Sequence, residues 1–255
     1  MEVHHHPNIE KKSFKEYFLE FLMIFLAVTM GFFAESIREK IVNNDKERNY
    51  MESLVRDLKK DTAEMNQVIA YQQVFIKKMD SALQIPVEKL TDISEQDTFY
   101  HHFTFFYSWV FLFYQNDNTI TQLKNAGGFS VIRKKEVVDS IGQLQLYYDQ
   151  QVKLNGDYYN DFWKKVVDIS PKLIKCPEPP VLFDTLFNDF PAHAEVFTRY
   201  ERPMLEELYS CIRNEKGTLL VYMHYETNYR NMTINAIDFI SKEYDLKKSE
   251  EVNGQ

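Results

Sequence analysis

Glycine and proline are scarce, 7 and 8 among 255 residues. That scarcity excludes an all-β sandwich or barrel, whose many tight turns draw on both residues. Long stretches rich in Leu, Lys, Glu, Gln and Met favour helix instead, so the expected fold class is all-α. Cysteine is scarcer still. Cys176 and Cys211 are the only two, too few for a disulfide framework and without the paired spacing of a zinc site. Either they form a single bridge or they stand as two unpaired small hydrophobes. A basic block is missing as well. The net charge is −8, and a phosphate backbone is bound through a clustered basic surface, so nucleic acid is not an expected partner.

The spacing signatures of catalysis are also missing. The chain has no phosphate loop, dinucleotide fingerprint or G-x-S-x-G elbow, and Gly127-Gly128 reads as a helix stop. His193-Ala194-Glu195 and His224-Tyr225-Glu226 each match the first half of a zinc-deaminase signature. The P-C-x-x-C half is absent, because Pro177 follows Cys176 and no second cysteine has the right spacing. There is no H-E-x-x-H helix, and the seven histidines show no metal-ligand spacing. His4, His5 and His6 read as part of a solvated tail. No catalytic residue, cofactor or metal is therefore expected. The aromatics Tyr147, Tyr148, Tyr158, Tyr159 and Trp163 read as core rather than as a ligand pocket.

What the chain does contain is one long uncharged run, Phe21 to Ala34, entered through Tyr17-Phe18-Leu19-Glu20 and left through Glu35-Ser36-Ile37-Arg38. At the helical rise, Tyr17 to Ala34 spans about 27 Å, close to the hydrocarbon core of a bilayer. The run reads as a membrane anchor with lipid as its partner. It reads as retained rather than cleaved, because Phe32 stands where a signal-peptidase site wants a small side chain. Ala27 and Gly31 have the four-residue spacing that lets two helix backbones approach closely. Glu20 sits near one end, where a carboxylate reaches the headgroups or faces a neighbouring span. Glu20, Ala27 and Gly31 are the expected face of a homo-oligomer. Lys11, Lys12 and Lys15 precede the span, while Arg38, Lys40, Lys46 and Arg48 follow it, so the charge bias is small. A short lysine-bearing tail resists export. The expectation is a single-pass protein of the cell inner membrane, with the large domain on the periplasmic side.

Residues 1–16 read as a tail, 17–37 as the transmembrane helix, 38–246 as one helical bundle domain and 247–255 as a disordered tail. From Ile37 to Leu83 there is neither Gly nor Pro, and apolar residues recur at helical spacing in three adjacent rows, among them Met51, Leu58, Met65 and Met79. The anchor is therefore expected to run into the first bundle helix and end before Pro86. Polar Asp61 and Gln72 fall on this face, which suggests contacts between copies above the span as well. Thr98 to Gln115, uncharged and aromatic, is expected to form a buried bundle helix. A short helix from Asn118 should stop at Gly127-Gly128. The next, from Lys134 or Lys135, shows a face at Val138, Ile141, Leu144, Tyr148 and Val152 that drifts in phase before Tyr159, Phe162, Val166 and Ile169. Gly142 and Gly156 make a kink there an expectation. Pro171 to Pro180 reads as a surface loop. Two further helical stretches are expected, about Ala192 to Asn214 and Thr218 to Lys242, the second burying Leu220, Tyr222 or Met223, Ile234, Ile237 and Ile240.

Tyr17 to Val28, with Glu35 after it, and Gln122-Leu123-Lys124-Asn125-Ala126-Gly127-Gly128-Phe129 leading to Val131-Ile132-Arg133, resemble a group of uncharacterised bacterial proteins. These carry one N-terminal membrane helix and a helical domain of unknown function. The resemblance covers about half the chain and implies a cell-envelope protein without supplying catalytic residues. The expected function is non-enzymatic: a membrane-anchored interaction or sensor module that binds a protein partner, a small ligand or copies of itself. An oligomeric membrane effector that forms a pore or perturbs the bilayer is the alternative, and an enzyme with an unrecognised site comes third.

Overall fold

The computed structural model describes residues 13–125, 127–175, 197 and 200–246. The fold is all-α. Among the described residues the only extended pairing is an isolated antiparallel bridge between Ile174 and Phe197. The helices are α1 (Phe14–Leu83), α2 (Ile93–Tyr107), α3 (Asn118–Asn125), α4 (Lys135–Tyr147), α5 (Leu154–Ile169) and α6 (Arg202–Glu243). The chain divides into two compact units between Asn49 and Tyr50, and α1 contributes residues to both.

The first unit is the N-terminal part of α1. Glu16 accepts the N–H of Ser13 at 2.7 Å, which closes the helix start. One window of 18 residues in this helix is apolar enough to cross a membrane, and none of it is buried. Phe25, Val28, Phe32 and Phe33 are all exposed. Thr29, the hydroxyl within the run, donates to the carbonyl of Phe25 at 2.7 Å. Its polarity is thereby satisfied inside the helix, as an apolar surrounding requires.

The second unit is built around three long helical segments. Its part of α1 buries Met51, Leu54, Leu58, Asp61, Met65, Val68, Gln72, Phe75, Met79 and Ala82 in alternating three- and four-residue steps, with Val55 buried beside that stripe. The buried stripe of α6 alternates in the same way, through Leu205, Leu208, Ile212, Glu215, Leu219, Tyr222, Glu226, Tyr229, Thr233, Ala236 and Ile240. Such spacing keeps one stripe facing its neighbours along a whole helix. The two run antiparallel. Lys216 pairs with Asp80, and Arg230 donates to Asn66 at 2.5 Å.

The third segment is α4 and α5 joined through a π-helical stretch, Tyr148–Lys153. It also runs antiparallel to α6: Lys134 pairs with Glu243 at 2.9 Å, and Gly156 lies against Tyr222. The buried residues Ile141, Leu144, Val152, Gly156 and Tyr159, with half-buried Tyr148 between them, include three successive four-residue steps from Leu144. A π turn holds more residues than an α turn. The insertion absorbs the phase drift visible in the sequence, where a kink was expected.

Several expectations need correction. The aromatic helix begins earlier and ends at Tyr107, and residues 109–117 are not helical. Gly217 does not divide the last helix: α6 is continuous from Arg202, with Pro203 in its first turn, where a missing N–H costs nothing. On α6, Leu220 is exposed and Met223, Ile234 and Ile237 are half-buried, so the inner row is the one through Tyr222. Val110 and Phe162 are likewise half-buried. The end of α1 at Leu83 and the left-handed stop at Gly127, with φ of 62°, match the sequence reading. Of the proline-rich stretch, Ser170–Lys172 forms a 3₁₀ turn. Ile174, just after it, forms the bridge to Phe197, and residues 176–180 lie outside the described residues, as do 1–12, 247–255 and Ala192. The first helix starts at Phe14, so the last three residues of the expected N-terminal tail are helical.

Candidate functional site

A set of buried and half-buried polar side chains of the second unit shares one occupation: they hold the extended segment 109–117 and the start of α3. Gln72 on α1 donates through Nε2 to the carbonyl of Phe111 at 3.1 Å. The phenol oxygen of Tyr222 on α6 accepts the N–H of Phe113 at 2.8 Å, and Tyr148 in the π stretch accepts the N–H of Gln115 at 3.2 Å. Asp61 on α1 accepts the N–H of Asn116 at 3.0 Å. Asp57, one turn earlier, accepts from the N–H of Thr119 at 3.2 Å and from its hydroxyl at 2.5 Å, which caps the start of α3. A non-helical segment inside a bundle has no helical ladder for its amides, and a buried amide without a partner costs about 1 to 3 kcal/mol. The polar side chains from three helices take the place of that ladder. Aromatic packing reinforces it: Phe111 stacks on Tyr71 with ring centres 4.8 Å apart, and Phe113 meets Tyr148 edge-on at 6.1 Å.

Beside this clamp lie carboxyls that are not fully matched. Glu226 on α6 is fully buried. Tyr222 and Gln72 adjoin its carboxyl and pull its pKa down, while burial pushes it up more strongly, to about 8. Neither neighbour makes a well-formed hydrogen bond to it. Glu215 is fully buried too, with no hydrogen-bond partner on either oxygen, and burial alone drives its pKa well up. Tyr159 on α5 places an unpartnered hydroxyl in the same region. Burial, then the charges of Glu215 and Glu226, raises that phenol's pKa. Asp61 has one oxygen on Asn116 and the other unpartnered. Burial chiefly, with Glu64, Asp57 and Asp117 adding negative potential, raises its pKa to about 7 against the pull of the Asn116 bond. Desolvation disfavours the charged form of a carboxyl, and no cation acts on Glu215 or Glu226 to reverse it. Burial thus favours the protonated form of both. Chemically the arrangement can store and release protons.

Sequence reasoning missed Glu215, Glu226 and Thr233 because they are polar, yet each falls on a seam position of the alternating stripe. That spacing was the signal available. It noticed Asp61 and Gln72 but expected them between copies; they are turned inward to the backbone of 109–117. Glu20 is half-buried on α1, Ala27 and Gly31 are exposed, and a Cβ on Gly31 would meet nothing within 4 Å. These three are not near the polar core in sequence and belong to the first unit. Cys211 is half-buried, its thiol pKa raised by burial. Cys176 lies outside the described residues, and so does the bridge considered for the pair. Of the two deaminase-like triplets, His193-Ala194-Glu195 is outside the described residues. In the other, exposed His224 lies 3.0 Å from the side-chain amide of Asn228 while Glu226 points into the core. Among the described residues, no three His, Cys, Asp or Glu side chains converge as a metal site.

No protein-family model matches the chain, and no curated protein or solved structure does so either.

Proposed function

We propose that the chain is a non-enzymatic, membrane-anchored interaction or sensor module of a bacterial cell envelope. One observation carries this reading: a single helix, α1, supplies both the exposed apolar run and the first alternating stripe of the bundle. An apolar window of this length left uncovered in water would aggregate, and lipid is the surrounding that fits its length. The bundle's buried polar side chains are engaged with the chain's own backbone or shut away from solvent, an arrangement suited to binding and conformational response. The three lysines before the span favour a cytoplasmic N-terminus and a periplasmic bundle.

The test is fractionation of the full-length protein from its native cell, with alkaline washing of the membranes and protease treatment of spheroplasts. The reading expects a pellet resistant to the wash and a bundle cleaved from the outer side. A protein released by alkali sinks the anchor, and a bundle protected in spheroplasts reverses the orientation. Co-purification from gentle detergent then identifies the partner.

The alternative, an oligomeric membrane effector, draws on the unobstructed Gly31 beside Ala27. Ion flux through reconstituted vesicles that Gly31→Leu and Glu20→Gln abolish would favour it over the module.

A further inference from the structure

We propose that the seam of α6 is a proton-operated latch, closed while Glu215 and Glu226 are protonated and opened when they lose their protons, so that α6 lets go of the segment 109–117. The inference concerns the second compact unit alone and stands whether or not the apolar run enters a membrane.

Geometry carries it. Both carboxyls lie on the inward stripe of one helix, about three turns apart, and both are wholly buried. Facing them are Gln72 from α1 and Tyr159 from α5, with Tyr222 from α6 itself. None of these is a cation. Lys216, next to Glu215 in sequence, is paired with Asp80 of α1, and Lys165 of α5 acts on the Cys211 thiol. Asp61 of α1, with Tyr148 and Asp149 of the π stretch, acts on Tyr229 one turn beyond Glu226, and the two aspartates add only negative potential. Where α2 meets α6, Phe99 stacks on Tyr209 at 5.5 Å. A charge formed on Glu215 or Glu226 therefore has no counter-ion.

Both neighbours of Glu226 are tied to the segment: Nε2 of Gln72 is taken by the Phe111 carbonyl, and Tyr222 accepts the Phe113 N–H. Each pulls the Glu226 pKa down, and burial outweighs them. When the carboxyl O–H breaks and its proton passes to bulk water, the carboxylate left behind needs water of its own. Water reaches it only if α6 parts from α1 and α5. Tyr222 moves with α6, and Phe113 loses its acceptor.

The experiment uses the full chain in detergent micelles. Hydrogen exchange, corrected for intrinsic rates, is followed at about pH 6 and about pH 9, beside infrared difference spectra of the protonated-carboxyl stretch. The latch predicts that amides of 109–117 and of α6 around Glu215 to Tyr229 open at least about tenfold more often at the higher pH, since each proton released shifts the equilibrium about tenfold per pH unit. It also predicts that a protonated-carboxyl band disappears over the same range. Glu215→Gln and Glu226→Gln together should remove the exchange response and shrink the band to the share of Asp61, whose pKa of about 7 lies in the same range, because glutamine mimics the neutral acid. Unchanged exchange, no titrating band, or a double variant that opens as the parent does would each overturn the latch. If the double variant does not fold, the spectra and exchange of the parent chain decide the matter.

Discussion

The phenol oxygen of Tyr222 accepts the backbone N–H of Phe113 across 109 positions of sequence, at 2.8 Å and buried. A side chain of the last helix thus completes the hydrogen bonding of a segment that has left α2 and not yet entered α3. Tyr222→Phe removes the acceptor and keeps the ring, stranding a buried amide at a cost of about 1 to 3 kcal/mol. Tyr159→Phe removes a hydroxyl that has no partner and should be neutral or stabilising. Denaturant titration of the two variants side by side checks the contrast.

Stability should fall as pH rises through neutrality. Glu226 has a folded pKa of about 8 against an ordinary 4.5, and Asp61 about 7 against 3.8. In each case the folded state binds the proton more tightly. The stabilisation is complete below the ordinary value and is lost as pH climbs to the folded one, by up to about 1.4 kcal/mol per pH unit for each group. Denaturation midpoints between about pH 5 and about pH 9 should decline, and Glu226→Gln should flatten the decline. Midpoints that rise with pH would contradict the burial of these acids.

Glycine replacement should give opposite signs at different sites. A Cβ on Gly156 would stand 3.1 to 3.4 Å from two ring carbons and the phenol oxygen of Tyr222, a side chain that the Phe113 bond holds in place. Overpacking costs about 1 to 3 kcal/mol, more than the gain of about 1 kcal/mol from better helix propensity. Gly142 and Gly217 have nothing within 4 Å, so Gly142→Ala and Gly217→Ala should each stabilise by about 0.5 to 1 kcal/mol. Thermal melts of the three variants decide it.

Removing residues 1–41 should yield a soluble helical protein, because the apolar window goes with them while the stripe beginning at Met51 stays. Circular dichroism and sedimentation of the truncated chain test this. A truncated species that is folded but still membrane-bound would mean that the bundle has an attachment of its own.

The stripe of α1 was legible because most of its seam positions are apolar, and the polar exceptions, Asp61 and Gln72, did not hide the period. On α6 the exceptions were more damaging. Glu215, Glu226 and Thr233 occupy seam positions, and a search for apolar rows settled on Leu220, Ile234 and Ile237 beside them. The end of α2 was illegible for a different reason: nothing in Ser108-Trp109-Val110 breaks a helix locally. The helix gives way because Gln72, Tyr222, Tyr148 and Asp61, far off in sequence, offer the backbone other partners. The same long-range cause hid the clamp, whose members come from three segments and share no motif.

The π stretch at Tyr148–Lys153 makes the count of residues between α4 and α5 matter more than their identity. The wide turn takes up one residue more than an α-helix would over the same length, so removing one residue from 149–151 would let the stretch relax to an ordinary helix and leave Tyr159, Val166 and Ile169 in phase with the interior. Adding one residue there would have no such outlet and would rotate everything after it by about 100°, carrying those three out of the interior together. Asp149, Gln150 and Gln151 are open to exchange for other residues, and even to loss of one, yet lengthening by a single codon would be as damaging as losing a whole face of the bundle.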